Sequence, residues 1–380
     1  MHYRELGKTG IKASILGFGA MRLPTSDPGD PTSIIEDEAI KIIRQAIDAG
    51  VNYVDTAYVY HRGSSEVLVG KALKDGYREK VSIMTKNPVG KVEKTEDFEK
   101  LLDEELERFD IDYIDVYLFH GLSWKRYEEK VIPLNLIEKA KELKKAGKIK
   151  HIGLSSHDKP ENVKKLLDLD VFEVILLQYN ILDNQYHDVI HYAASKGIGV
   201  TVMGPVAGGR LALEPPEDLQ EYLTKGKETF TDLAFKHVWS NPNVSVALSG
   251  MGDEQMVKSN IEFASAKVHT LTDKEKDNVK IIGETYKKLS DLVCTQCGYC
   301  EPCEQSVNIR QVLKQLIHWD VYGWDMAKRY YNMIGISPMF PGKNATGCTE
   351  CGECLDKCPQ GIPIIDKLKE AHEKLADKKE

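Results

Sequence analysis

Ile114-Asp115-Val116-Tyr117-Leu118-Phe119-His120 is a mostly apolar run that ends on a polar residue, between two amphipathic helical patterns, Glu96 to Phe109 and Leu134 to Ala146. A short run of this kind, flanked by helices, predicts a strand of a parallel sheet covered on both faces. The same unit recurs in both directions. Upstream lie Ile15-Leu16-Gly17-Phe18-Gly19, Asn52-Tyr53-Val54-Asp55 and Val81-Ser82-Ile83-Met84-Thr85-Lys86, with a helical pattern from Glu38 to Ala49. Downstream lie Ile149 to Ser155, Val174 to Gln178, Gly199 to Met203 and Val244 to Leu248. Eight strand–helix units in about 265 residues predict an α/β chain folded as a (β/α)8 TIM barrel, with a doubly wound open sheet as the competing arrangement.

The polar residues of these units are unevenly placed. Asp55, Lys86, His120, Ser155 and Gln178 each fall at or just beyond the carboxyl end of a strand, which in a barrel is the rim that carries active sites. One such residue is an ordinary buried polar group; five at five strand ends are odd for packing alone.

The rest of the composition narrows the function classes. The chain has 380 residues, 59 acidic against 51 basic, and a net charge of -8, which disfavours a nucleic-acid partner. No stretch approaches the roughly 18 unbroken apolar residues of a membrane span. The opening residues, Met1 to Gly10, contain no apolar signal core, so a cytoplasmic location is expected. All eight cysteines lie between Cys294 and Cys358. In a reducing compartment, clustered thiols point to metal before disulfide. The chain is expected to divide into a barrel over 1–271, a connecting helix over 272–293 opened by the capping box Thr272-Asp273-Lys274-Glu275, and a small, mainly helical domain over 294–380.

Asp55-Thr56-Ala57-Tyr58-Val59-Tyr60, then Ser65-Glu66, then Thr85-Lys86, then the run ending in His120, resemble the aldo-keto reductase superfamily. The likeness extends from about Tyr3 to Asn260 and includes Ile152-Gly153-Leu154-Ser155, Gln178-Tyr179-Asn180 and Met203-Gly204-Pro205. It implies NAD(P)H-dependent reduction of a small carbonyl substrate, an aldehyde or ketone. Reduction leaves negative charge on oxygen, so a proton donor and nearby hydrogen-bonding or positive groups are needed. The resemblance makes Tyr60 that donor, Lys86 the cation that favours its ionised form, Asp55 the carboxylate holding Lys86, and His120 a hydrogen-bond partner of the carbonyl oxygen. It makes Ser155 and Gln178 holders of the nicotinamide carboxamide, with Asn180 a weaker candidate. Gly204, Pro205, Gly208 and Arg210 would form the loop along the pyrophosphate, and Asn260 would belong to the last cofactor loop. The alternative for the catalytic set is a buried ion pair beside two core rings.

Two departures from the family pattern stand out. Met256 occupies the place where NADPH-using relatives carry an arginine four residues before the asparagine, which leaves NADP against NAD open; Arg210 and Lys258 are the candidates for the missing charge. His61-Arg62-Gly63 replaces the usual glycine after the tyrosine. Arg62 reads as a solvated loop charge, with attraction of an acidic substrate as the other option.

Cys348-x2-Cys351-x2-Cys354-x3-Cys358-Pro359 is the bacterial ferredoxin run. Cys294-x2-Cys297-x2-Cys300-x2-Cys303 is shorter by one residue in its last gap. Eight thiolates match two 4Fe-4S clusters, with zinc as the alternative metal. Two-cluster ferredoxins exchange fourth ligands, which implies Cys294, Cys297, Cys300 and Cys358 for one cluster and Cys348, Cys351, Cys354 and Cys303 for the other. The whole chain therefore resembles aldo-keto reductases with a C-terminal ferredoxin-like domain, and a redox partner protein is expected. A hydride carries two electrons and a cluster one, so direct coupling needs a converter such as a flavin, which no motif here announces. The rival reading is an electron-transfer or interaction protein whose barrel merely scaffolds the clusters.

Overall fold

The structure is a computed structural model that describes residues 1–27, 30–222, 229–267 and 269–377. A short antiparallel hairpin, β1 (Tyr3–Glu5) and β2 (Lys12–Ser14), precedes eight barrel strands. These are β3 (Leu16–Gly19), β4 (Tyr53–Asp55), β5 (Ser82–Asn87), β6 (Ile114–Phe119), β7 (Ile149–Ser155), β8 (Val174–Gln178), β9 (Gly199–Met203) and β10 (Val246–Ser249). They pair in parallel in sequence order, and β10 returns to pair with β3, closing the barrel. All eight expected strands are present, and the open sheet is excluded.

The barrel is filled rather than hollow. Tyr53, Met84, Val116, Leu118, Val174, Leu176, Val246 and Leu248 form one buried cluster with Leu6 and Ala13 of the hairpin region. Gly153 lets two strands approach closely: a Cβ there would stand 2.4 Å from Val174 O. The hairpin covers the amino end of the barrel, where Lys8 N donates to Gly197 O at 2.9 Å. Gly7 (φ +57) comes so near Gly199 that an added Cβ would lie 2.3 Å from its nitrogen. With that end covered, the carboxyl rim is the face left for chemistry. The hairpin escaped the sequence reading because its strands are three residues long and largely polar, so they carry no apolar period.

The flanking helices follow the expected patterns within two residues at each end: Glu36–Asp48, Thr95–Phe109 and Leu136–Lys145. The capping box forms, with Thr272 Oγ1 accepting from Glu275 N at 3.3 Å and Glu275 Oε2 from Thr272 N at 2.6 Å. The helix it opens ends at Leu289 instead of running to Val293, because Ser290 turns extended (φ -157, ψ 133).

The chain divides into two compact units, Met1–Pro205 with Phe235–Leu271, and Val206–Ala234 with Thr272–Glu380. The segment after β9 is thus counted with the cysteine-bearing part. In that second unit the helices Ile309–Tyr322 and Ile364–Leu375 pack on each other around Val312, Leu316, Leu368 and Leu375.

Candidate active site and cluster ligands

The barrel register brings the expected catalytic residues together. Asp55 ends β4, Lys86 is the penultimate residue of β5, and His120 directly follows β6. Lys86 is 1% exposed, Asp55 4% and Tyr60 8%, so the group is nearly dry. Lys86 Nζ donates to Asp55 Oδ1 at 2.5 Å, to Thr56 O at 2.6 Å and to the Tyr60 hydroxyl at 3.2 Å. A buried ammonium with three oxygen acceptors is held in place and has its donors satisfied. Burial raises the Asp55 carboxyl above its ordinary range, and the contact with Lys86 opposes that rise. The His120 ring meets Tyr60 edge-on, with centroids 6.3 Å apart. Burial, followed by the charge of Lys86 and of other neighbours, holds His120 well below the usual imidazole range, so it is neutral at pH 7.

Tyr60 is aimed by an uncommon turn. His61 (φ 49) and Arg62 (φ 55) are consecutive left-handed residues before Gly63 (φ 96). That conformation is the reason glycine is expected there, and a histidine in it needs compensation. It finds it in two carbonyls: Nδ1 lies 2.6 Å from Pro31 O and Nε2 3.1 Å from Met21 O.

Behind the rim runs a polar network that sequence reasoning mostly missed. Thr85, next to Lys86, donates to Glu66 Oε1 at 2.7 Å and lies 3.3 Å from Glu105 Oε1. Arg108 pairs with Glu66 at 2.9 Å, and the Tyr117 hydroxyl donates to Glu105 at 2.5 Å. Glu66 and Glu105 are fully buried and hydrogen-bonded to each other. Burial and then the Glu66 charge push Glu105 well above the ordinary carboxyl range, so one proton is shared across the pair. The signal available in the sequence was the period of the helix Thr95–Phe109, which places Glu105 among its buried positions Phe98, Leu101, Leu102 and Phe109.

The cofactor candidates separate into two groups. In the barrel unit, Ser155 Oγ accepts from Gly121 N at 2.9 Å, Gln178 Nε2 donates to Asp183 at 2.7 Å, and Asn180 Nδ2 donates to Gly204 O at 2.9 Å. Asn260 Nδ2 donates to Ser249 Oγ at 2.9 Å, and Pro205 directly follows Gly204 (φ +63). Gln178 and Gly204 are neighbours, since a Cβ on Gly204 would sit 3.9 Å from Gln178 Oε1. Gly208 and Arg210 belong to the second unit and have employment there. Gly208 (φ +70) admits the Thr295 backbone, which a Cβ would meet at 2.6 Å. The Arg210 guanidinium donates to Leu292 O at 3.1 Å and lies 5.6 Å from the Tyr286 ring centroid.

The two cysteine runs share a backbone as well as a spacing. Cys294-Thr295-Gln296-Cys297-Gly298 and Cys348-Thr349-Glu350-Cys351-Gly352 both place left-handed residues third and fifth: Gln296 (φ 58) with Gly298 (φ 83), and Glu350 (φ 59) with Gly352 (φ 84). The third residue's amide then points back at the first sulfur, 3.5 Å from Gln296 N to Cys294 Sγ and 3.4 Å from Glu350 N to Cys348 Sγ. Burial raises the Cys294 thiol to about 11, with Cys297 and Cys358 adding to the rise. Cys300 has Cys297, Cys294 and Cys358 as its thiol neighbours, and Cys354 has Cys348, Cys351 and Cys303. The last cysteine of each run thus stands with the first three of the other. All-sulfur sets with amide donors aimed at sulfur suit iron–sulfur chemistry. Among the described residues no three His, Cys, Asp or Glu side chains converge on a single ion.

Residues 15–284 match the aldo/keto reductase family, and residues 293–362 match a 4Fe-4S dicluster domain. The chain belongs to the aldo/keto reductase family. It is 28% identical to L-galactose dehydrogenase of Arabidopsis thaliana over 68% of this chain and 86% of that protein. It is 26% identical to an uncharacterized oxidoreductase, YqkF, of Bacillus subtilis over 72% of this chain and 94% of that protein. The solved holo form of aldo-keto reductase AKR11C1 from Bacillus halodurans aligns with a TM-score of 0.64 at 29% identity, covering 74% of this chain and 96% of that one. The chain is thus an oxidoreductase with an added iron–sulfur region, and among its described residues no helix is long and apolar enough to cross a membrane.

Proposed function

We propose that the barrel reduces an aldehyde or ketone with NADPH or NADH, and that Tyr60 donates the proton. The observation that carries this is the single Lys86 ammonium shared by Asp55 and the Tyr60 hydroxyl in a nearly dry site. A bound nicotinamide would supply the hydride to the carbonyl carbon. Tyr60 gives its phenolic proton to the oxygen, which becomes the alcohol. Lys86, held against the Tyr60 hydroxyl by its bond to Asp55, lowers the cost of the phenolate left behind. Neutral His120 donates a hydrogen bond to the same oxygen without competing as an acid. Ser155 and Gln178 hold the carboxamide, and Gly204, Pro205 and Asn260 line its approach. Gly208 and Arg210, expected on the loop along the pyrophosphate, contact Thr295 and Leu292 within the second unit.

The second unit holds two 4Fe-4S clusters, one on Cys294, Cys297, Cys300 and Cys358 and the other on Cys348, Cys351, Cys354 and Cys303. The thiol neighbours of Cys300 and Cys354 support that division. Bound there, the clusters would supply single-electron transfer to or from a redox partner protein in the cytoplasm. Tyr60→Phe tests the barrel assignment: carbonyl reduction falls by about 100-fold or more while nucleotide binding and iron content stay. Unchanged turnover would refute Tyr60 as the acid.

A further inference from the structure

We propose that the substrate of this site carries a carboxylate or similar small anion, and that Arg126 grips it. The proposal rests on the carbonyl-reducing reading above and names its substrate class. Arg126 closes the short helical turn Trp124–Arg126 in the loop after β6, six residues beyond His120. The turn is fixed from both sides: Arg126 N donates to Ser123 Oγ at 3.1 Å, and Nη1 donates to Gly121 O, the carbonyl next to His120. Gly121 (φ +59) is tied in turn to Ser155, and a Cβ on it would press within 3.3 Å of Nη1. The guanidinium is therefore held at the barrel rim against the backbone of the residue that follows His120.

Among the described residues no carboxylate pairs with it. Arg44 pairs with Asp75, Arg78 with Asp115, Arg108 with Glu66 and Arg310 with Glu301, while Arg210, like Arg126, has a single carbonyl acceptor and no ion pair. Arg4, which has no acid, instead donates to three carbonyls, those of Trp239, Asn241 and Val244. Arg126 has one carbonyl and no ion pair among the described residues. The acids at the same turn are committed elsewhere: Asp158 accepts from Trp124 N and Lys159 N, and Glu129 faces Lys125. A guanidinium cannot shed its proton, so a partly buried one without a counter-ion is unfavourable until an anion arrives. Its planar fork fits a carboxylate through two parallel bonds. Its Nη1 is bonded to the carbonyl of the residue that follows His120, so an anionic tail held there would bring the rest of the substrate toward Tyr60 and His120.

The test compares matched probes, succinic semialdehyde against butanal, with wild type, Arg126→Gln and Arg126→Lys. Wild type should favour the anionic aldehyde in kcat/KM by about tenfold or more, as a charge-assisted pair implies. Arg126→Gln should abolish the preference through KM, leave butanal turnover unchanged, and leave the KM for nucleotide unchanged; Arg126→Lys should restore part of it. Equal preference in wild type and Arg126→Gln overturns the proposal. A fall in kcat for both aldehydes makes Arg126 a stabiliser of the developing oxyanion, and a rise in nucleotide KM alone makes it a cofactor-phosphate ligand; either overturns it. If wild type reduces neither aldehyde, the carbonyl-reducing reading fails. Binding of butanoate by calorimetry then decides the anion site on its own: retained by wild type and lost in Arg126→Gln supports it, and equal or absent binding refutes it.

Discussion

The barrel rim and the cysteine runs assemble their chemistry in opposite ways. At the rim, Asp55, Lys86, His120, Ser155 and Gln178 are supplied by five strands, and the backbone ladder from β3 round to β10 fixes their spacing before any ligand is present. In the second unit the ligands sit on turns with little regular structure between Ser290 and Val307, and only short helical pieces near Cys354. There the sulfur-bound group itself would supply the cross-links. One site is carried by a fold; the other carries its fold.

The sharpest way to break that contrast is to remove the metal. Chelation under anaerobic conditions should unfold the segment from Cys294 to Cys358, read as new protease cleavage there, while the barrel keeps its thermal transition. Cleavage confined to the barrel instead would reverse the comparison. A subtler form is Cys354→Ser, which should remove about half of the iron if, as proposed, it takes one ligand from one of two clusters. Loss of all the iron would show that the two clusters assemble as one cooperative unit.

The converse lesion strikes the barrel alone. Gly153→Ala forces a Cβ to within 2.4 Å of Val174 O and should destabilise the barrel by about 3 kcal/mol or more, with the iron content of the folded protein unchanged. A stability equal to wild type would mean the strands can part at that point without cost.

The smallest expected effect concerns the proton shared by Glu66 and Glu105. Glu105 has a folded-state pKa raised above its unfolded value, so the stabilisation linked to it is fully present below about 4.5 and declines as pH rises toward the folded pKa. Glu105→Gln is neutral at every pH and lacks that slope. The stability difference between wild type and Glu105→Gln should therefore shift in favour of the variant as pH rises above 4.5, measured by urea unfolding. A pH-independent difference would mean that Glu105 is ionised in the folded protein.

These contrasts also explain what could be read in the sequence. The strands were legible because each is an apolar run between amphipathic helices, and the rim residues because a strand end is a fixed place in a barrel. The proposed catalytic group was legible through local words such as Asp55-Thr56-Ala57 and Thr85-Lys86. Glu105 was not, since its partner Glu66 lies 39 positions away and only packing of the helices Ser64–Ala72 and Thr95–Phe109 brings them together. His61 was visible as an exception to a glycine, and the left-handed turn supplies its physical meaning. Gly208 read as a loop along a pyrophosphate because small residues permit any close approach; which backbone approaches, here that of Thr295, is a tertiary fact. The repeated left-handed positions at Gln296, Gly298, Glu350 and Gly352 were foreshadowed by the twin words Cys294-Thr295-Gln296-Cys297-Gly298 and Cys348-Thr349-Glu350-Cys351-Gly352, which differ at one residue.

On the proposed function, the reaction centre made of Asp55, Tyr60, Lys86 and His120 is complete within the barrel. Its most direct test is kcat for aldehyde reduction at saturating nucleotide, measured on the holoprotein and on protein stripped of iron anaerobically. A self-sufficient barrel centre gives the same kcat in both, and loses it in Tyr60→Phe whether or not iron is present. A kcat that collapses with the iron, while the barrel's thermal transition is unmoved, would contradict it.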